Sequence, residues 1–191
     1  MIRLGLVIGV AGAAVLAFGA LTAAPASTRR TPPELYRALR TTPFAPPTVA
    51  GRFSRARVYT VSPSPTAARY RPIGAVQITF KKGEGSIRYT VFRSHAAALN
   101  SWADDVTAAT SPLLTYERRL LVPGVPVKAL MFLGPARGCD PPPCLPSRAT
   151  FVSGAVQTDV TVTVRSNFSN YDQADTTALA RAAYAHLRSL S

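Results

Sequence analysis

The chain has 191 residues, 47% of them hydrophobic, and its 22 basic and nine acidic side chains give a formal net charge of +13. This length accommodates one domain with a buried core. No cysteine lies near the N-terminus, which excludes a lipoprotein, and the motifs Gly-x-Ser-x-Gly, His-Glu-x-x-His and Ser-x-x-Lys do not occur. Hydrolases that are defined by one of these motifs are thereby excluded.

The first 26 residues have the pattern of a signal peptide. Arg3 precedes an uncharged apolar run at 4–21, and the small residues at 24–26 fit a cleavage site before Ser27. We therefore expect residues 1–26 to be removed and the protein to be periplasmic, secreted or on the cell surface. The apolar run is nearly as long as a membrane-spanning helix, so the alternative is an N-terminal membrane anchor.

Residues 27–72 form a basic arm that contains nine arginines and one acidic residue, Glu34. Thr31 and Glu34 have the spacing of a capping box, which predicts a short helix that continues to Leu39. The rest of the arm is rich in proline, arginine, serine and threonine. This composition predicts an irregular segment with one strand-like patch at 57–61.

The remaining residues, 73–191, contain patterns of strands and helices. Alternating or continuous apolar side chains predict strands at 76–80, 87–91, 127–133, 150–153 and 156–164. The segment 127–133 is apolar on both faces, which is typical of a central strand. Polar and glycine residues at 81–86 predict a hairpin connection between the first two strands.

Two helices are predicted in the same region. Ser94 is a suitable N-cap for a helix from His95 to about Thr107. One apolar face of that helix consists of Leu99, Trp102, Ala103 and Val106. The last helix begins at Asp172 or Asp175. Its apolar stripe consists of Leu179, Ala183, Leu187 and Leu190.

This order of elements predicts an α+β domain at 73–191. We expect an antiparallel sheet of about five to six strands with two helices packed on one face and a polar opposite face, preceded by the short N-terminal helix and the irregular basic arm. The sequence Gly-Ala-Val-Gln occurs at 74–77 and again at 154–157. Duplication of a strand-strand-helix unit is one hypothesis, and a chance match in a chain rich in alanine and valine is the other.

The two cysteines, Cys139 and Cys144, bracket the sequence Asp-Pro-Pro-Pro. In an exported chain, two neighbouring cysteines predict a disulfide, which would hold this proline-rich loop. A metal site completed by His95 and His186 is disfavoured because the spacing is wrong and the ligands are too few.

Candidate catalytic residues are few. His95 and His186 fall near helix ends, where surface or capping roles explain them. Asp104 and Asp105 are adjacent on a helix, so their side chains diverge by about 100 degrees. The sequence therefore predicts no catalytic residue, no metal site and no cofactor. A hydrolase whose site is assembled from distant residues stays as an alternative.

The basic arm is the most suggestive candidate for binding. The candidate contacts for an anionic ligand are Arg52, Arg55, Arg57, Arg69 and Arg71. An anionic polymer or surface is the partner that they predict, whereas a solvated arm whose aromatic side chains pack on the domain is the competing interpretation. Nucleic acid is disfavoured because an exported protein seldom meets it and no nucleic-acid module is visible. A membrane partner requires that the N-terminal segment is retained.

These observations favour an exported bacterial protein that acts as a non-catalytic binding or structural module. The first alternative is a binder of anionic polymers or membrane surfaces through the arm. The second is the hydrolase.

Overall fold

The computed structural model describes residues 30–47, 53–54, 56–80, 85–110, 118–133, 147–162 and 169–191. In chain order, the helices and strands of these residues are α1 (Pro32–Thr41), β1 (Arg57–Val61), α2 (Pro65–Ala68), β2 (Gly74–Thr79), β3 (Gly85–Val91), α3 (His95–Ala109), β4 (Arg118–Leu121), β5 (Ala129–Leu133), β6 (Ser147–Ser153), β7 (Val156–Val162) and α4 (Ser169–Ser189). The predicted α+β class is confirmed.

All seven strands belong to one antiparallel sheet in the order β1-β2-β3-β7-β6-β5-β4. The last strand in the sequence, β7, therefore lies at the centre, between its hairpin partner β6 and β3, which is distant along the chain. Residues paired across neighbouring strands lie on the same face of a sheet. Each face can thus be followed from one edge to the other through the strand register.

One face of the sheet carries the larger hydrophobic core. Val156, Val160 and Val162 of β7 are fully buried on this face, and β3 and β6 continue the same layer. α4 packs across β5, β6 and β7, and α1 packs against β2 and β3. The predicted apolar stripe of α4 is confirmed, because this core contains Leu179, Ala183, Leu187 and Leu190.

The opposite face carries a smaller core under α3 and α2. The sheet contributes Leu130, Phe132 and Val152, and α3 contributes Ala98, Trp102 and Ala109. α3 lies over β6 and β7, and α2 packs against α3.

The prediction that two helices pack on one face is wrong, because α3 and α4 lie on opposite faces. Along β5, Met131 belongs to the core under α4, whereas Leu130 and Phe132 belong to the core under α3. The face that is polar on β2, β3 and β7 becomes apolar on β5, and burying this apolar surface is favourable. The sequence predicts a central strand at 127–133. The strand in this segment, β5, is covered on both faces as a central strand would be, but it lies next to the edge strand β4.

The predicted apolar face of α3 also differs from the observed one. Leu99 is 43% exposed and Ala103 is exposed, whereas Ser101 and Asp105 are buried with Trp102. The helix is rotated relative to the prediction because the sheet below it offers hydrogen-bonding partners to the two polar side chains.

The sheet has seven strands rather than five to six. The strand-like patch at 57–61 pairs with β2 as an edge strand, and the short strand β4, which was not predicted, forms the other edge. α4 begins at Ser169 rather than at Asp172 or Asp175. The predicted capping box at α1 is present, with the carboxylate of Glu34 accepting hydrogen bonds from the backbone N–H and the hydroxyl of Thr31.

The two Gly-Ala-Val-Gln segments occupy different structural positions. Gly74 is the first residue of β2, whereas Gly154 has a φ of +57° in the turn before β7. β2 is the first strand of its hairpin and β7 is the second of its own, and the helices that follow lie on opposite faces. The segments therefore do not mark two copies of one strand-strand-helix unit.

Among the residues that the structure describes, no helix is both long and apolar enough to span a membrane. The expected signal peptide or anchor at 1–26 and the cysteine pair, Cys139 and Cys144, lie outside the described residues.

His186 is the one titratable imidazole that packs into the larger core. The centroid of its ring lies 5.3 Å from that of the Phe44 ring and 6.1 Å from that of the Tyr89 ring. Its Nε2 atom is buried and has no hydrogen-bond partner. Burial lowers the pKa of His186 below the usual 6.5. The native state therefore binds fewer protons than the unfolded chain just below pH 6.5, and stability falls as the pH decreases through this range.

We expect the His186→Phe variant to lose this part of the pH dependence, because phenylalanine keeps the ring packing and cannot be protonated. Urea unfolding at pH 8 and pH 5 measures it: the wild type should lose more free energy of unfolding than the variant. His95→Gln, which removes the exposed histidine, is the matched control. Equal losses in wild type and His186→Phe would contradict the prediction.

Candidate functional site: a basic cleft

A cleft of about 650 Å³ lies where four parts of the fold meet: the start of α1 with Arg30 before it, the start of α3, the β6–β7 turn and the end of α4. We call it the basic cleft. Its lining consists of Arg30, Pro32, Leu35, Arg93, Ser94, His95, Ser153, Gly154, Ala155, Arg188 and Ser191.

The start of α3 is fixed against the β6–β7 turn by local hydrogen bonds. The Ser94 hydroxyl accepts from the Ala97 N–H at 3.2 Å, as an N-cap does. His95 Nδ1 lies 2.7 Å from the carbonyl oxygen of Gly154. Because a carbonyl only accepts, Nδ1 carries the proton and donates this bond. The positive φ of Gly154 favours glycine in a two-residue hairpin turn and presents this carbonyl to α3.

Three arginines from distant parts of the chain border the basic cleft. Arg30 Nη1 donates to the carbonyl oxygen of Leu190 at 2.7 Å, which ties the chain before α1 to the end of α4. Arg93 and Arg188 are exposed, and within the described residues neither has a hydrogen-bond or ion-pair partner. Their charges are therefore available to a ligand.

The described lining contains no acidic side chain to offset these charges. Glu34, which lies close enough to Arg30 to interact with its charge, is held by Thr31 instead. These hydrogen bonds keep the pKa of Glu34 below its usual range. The N-terminus of α3, a helix of 15 residues, adds a partial positive charge, and the C-terminal end of α4, which borders the same cleft, adds a partial negative one. The basic cleft is thus suited to bind anions.

The arginines that the sequence singled out lie elsewhere. Arg52 and Arg55 fall outside the described residues. Arg57 is the first residue of β1. Arg69 and Arg71 come directly after α2, which follows β1 in the chain. Arg69 pairs with Asp104 at 3.3 Å, and Arg71 has a φ of +48° in the turn after α2. The structure does not bring these three described residues to the basic cleft, and their role in anion binding stays a prediction.

Sequence reasoning did not single out Arg93 or Arg188. A signal for Arg93 did exist, since it directly precedes the N-cap Ser94 and a helix N-terminus favours anions. Nothing in the sequence indicated that Arg30 and Arg188 would join it.

A second cluster of polar residues lies between α3 and the sheet. Ser101 donates to Gln157 Oε1 at 2.7 Å, and Gln157 Nε2 donates to Asp105 Oδ2. Arg148 Nη2 donates to Asp159 Oδ1 at 2.6 Å and to Asp105 Oδ2 at 3.4 Å. Because its carboxylates are satisfied by side chains of the fold itself, this cluster has the chemistry of a structural network.

Burial raises the pKa of Asp105 above its ordinary value of 3.8, and the nearby charge of Asp159 raises it further. Arg148, Gln157 and Thr66 oppose this change. Asp104 points away, as the sequence predicted, and accepts from the Tyr70 hydroxyl at 2.7 Å.

The described residues contain no group of three or more His, Cys, Asp or Glu side chains that could hold a metal ion. His95 hydrogen-bonds a backbone carbonyl and His186 packs among aromatic rings, so in this part of the chain neither imidazole activates a serine or threonine hydroxyl. The predicted disulfide between Cys139 and Cys144 lies outside the described residues.

The sequence matches no protein-family model, and comparison with curated proteins and with solved structures gives no significant match. The functional argument therefore rests on the site.

The raised pKa of Asp105 means that its native form holds a proton at pH values where the unfolded chain has lost it. Its contribution to stability is present below about pH 3.8 and is lost as the pH rises through the native pKa. The Asp105→Asn side chain is neutral at every pH. We therefore expect the free energy of unfolding of this variant, relative to that of wild type, to be higher at pH 7 than at pH 4. Urea unfolding at the two pH values measures this gain, and a gain that is equal or larger at pH 4 would refute it.

Proposed function

We propose that this protein is an exported, non-catalytic binding module that takes an anionic ligand in the basic cleft. The observation that carries the proposal is the convergence of Arg30, Arg93 and Arg188 with the N-terminus of α3 on a cleft whose described lining has no acidic side chain.

The physical argument is one of charge compensation. Guanidinium groups stay protonated at any physiological pH, so three of them around one cleft repel each other and raise its positive potential. A bound anion removes this repulsion and forms charge-assisted hydrogen bonds. Arg93 and Arg188 supply the donors, while Arg30 is also needed to hold the end of α4.

The export component of the proposal is supported by the N-terminal sequence, in which Arg3, the apolar run at 4–21 and the small residues at 24–26 follow the order of a signal peptide. An exported binding module of this kind meets its ligand outside the cytoplasm. The arm remains the competing surface for anions, through Arg52, Arg55 and Arg57, and the hydrolase hypothesis gains no observation in its favour.

The double variant Arg93→Gln/Arg188→Gln tests the basic cleft. We expect it to bind pyrophosphate at least tenfold more weakly than wild type, since two charge-assisted contacts are lost. Isothermal titration calorimetry of the full chain, expressed in an exporting bacterial host, measures the affinity at 50 mM and 300 mM salt. Wild-type affinity should fall with salt because screening weakens the attraction.

Arg37→Gln/Arg119→Gln, which removes two exposed arginines outside the lining, is the matched control for net charge and should bind like wild type. The variant Arg52→Gln/Arg55→Gln/Arg57→Gln separates the two surfaces. Loss of binding in this arm variant, with full binding in the cleft variant, would overturn the proposal in favour of the arm.

A further inference from the structure

The lining of the basic cleft contains residues of two chemical kinds. Three arginines carry positive charge, and Pro32, Leu35 and Ala155 contribute apolar carbon surface. A volume of about 650 Å³ falls within the range of roughly 300–1,000 Å³ that is common for pockets of small organic ligands. The space is far larger than one small inorganic ion needs. A ligand that uses all of it has an organic body beside its charged group.

The number of positive charges indicates which anionic group fits. A carboxylate carries one negative charge and typically engages one guanidinium group with its two oxygens. A phosphate monoester carries about −1.5 to −2 charges at pH 7 and has three strong acceptor oxygens. With three acceptor oxygens, it can engage two guanidinium groups and still accept from a backbone N–H. Compensation of three arginines is more complete with the phosphate group.

We infer that the ligand of the basic cleft is an organic phosphate monoester, with its phosphate at the arginines and its organic body against Pro32, Leu35 and Ala155. This inference rests on the proposed function and specifies its ligand class. Phosphate esters of this class occur both as free small molecules and as lipid headgroups.

Phenyl phosphate and benzoate test the inference, because they share the same ring and differ in the anionic group. We expect phenyl phosphate to bind the full chain at least tenfold more tightly than benzoate and than inorganic phosphate, as measured by calorimetry at constant ionic strength. Benzoate binding as tight as phenyl phosphate would overturn the phosphate assignment while leaving the proposed anion site intact. Binding of inorganic phosphate as tight as that of phenyl phosphate would overturn the assignment of an organic body to the ligand. Binding of none of the three, nor of pyrophosphate, would overturn the proposed function itself.

Ala155 provides a variant pair that leaves every arginine in place. Its side chain is partly exposed in the β6–β7 turn and lines the basic cleft. Ala155→Glu places a negative charge in the lining, whereas Ala155→Gln adds a neutral side chain of nearly the same size. We expect the Glu variant to bind phenyl phosphate at least tenfold more weakly than the Gln variant. Equal affinity of the two would mean that the ligand does not lie against Ala155 and would refute the inference.

Competition with vesicles distinguishes the two sources of the ligand. Displacement of phenyl phosphate by vesicles of phosphatidylcholine with phosphatidic acid, but not by phosphatidylcholine alone, would support a lipid headgroup. Failure of both vesicles to displace it, with tight phenyl phosphate binding, would support a free small molecule.

Discussion

The alternation of side chains along β7 is the constraint on which the rest of the fold depends. β7 is the centre of the seven-stranded sheet, so each of its residues faces a layer of helices on one side or the other. Val156, Val160 and Val162 make one face a continuous hydrophobic layer, which α4 covers. Gln157 and Asp159 make the other face polar, so the helix above it must bring polar partners. Two faces of different chemistry thus need two different helices.

The network around Asp105 connects this constraint to the basic cleft. Gln157 is 1% exposed, so an apolar helix above it would leave its amide unsatisfied at a cost of about 1–3 kcal/mol. Ser101 and Asp105 satisfy that amide and fix the rotation of α3. The same helix begins at the β6–β7 turn, where His95 bonds to Gly154. A polar network in the middle of α3 therefore helps to hold Arg93, Ser94 and His95 at the basic cleft.

The sequence correctly predicted those features of the fold that depend on residues close together in the chain. The apolar stripe of α4, the alternation in β2, β3 and β7, and the capping of α1 and α3 all depend on neighbours within a few residues. The side of the sheet on which α3 packs, and the face that it buries, depend on partners more than 40 residues away, such as Gln157 for Ser101. By local pattern Ser101 and Asp105 look like solvent-facing positions. Only their pairing with a polar strand makes them buried ones.

The same reasoning explains why the basic cleft was not visible in the sequence. Arg30, Arg93 and Arg188 each have a local explanation, as part of a basic arm, as a residue before a helix cap and as a cation at a helix end. The sheet order brings them together, because the central position of β7 places its turn beside α3 and α4 packs behind it. Arg148 and Arg69 find carboxylates within the fold, and their charges are thereby compensated. Within the described residues Arg93 and Arg188 find none, which is why we propose that an anionic ligand supplies this compensation.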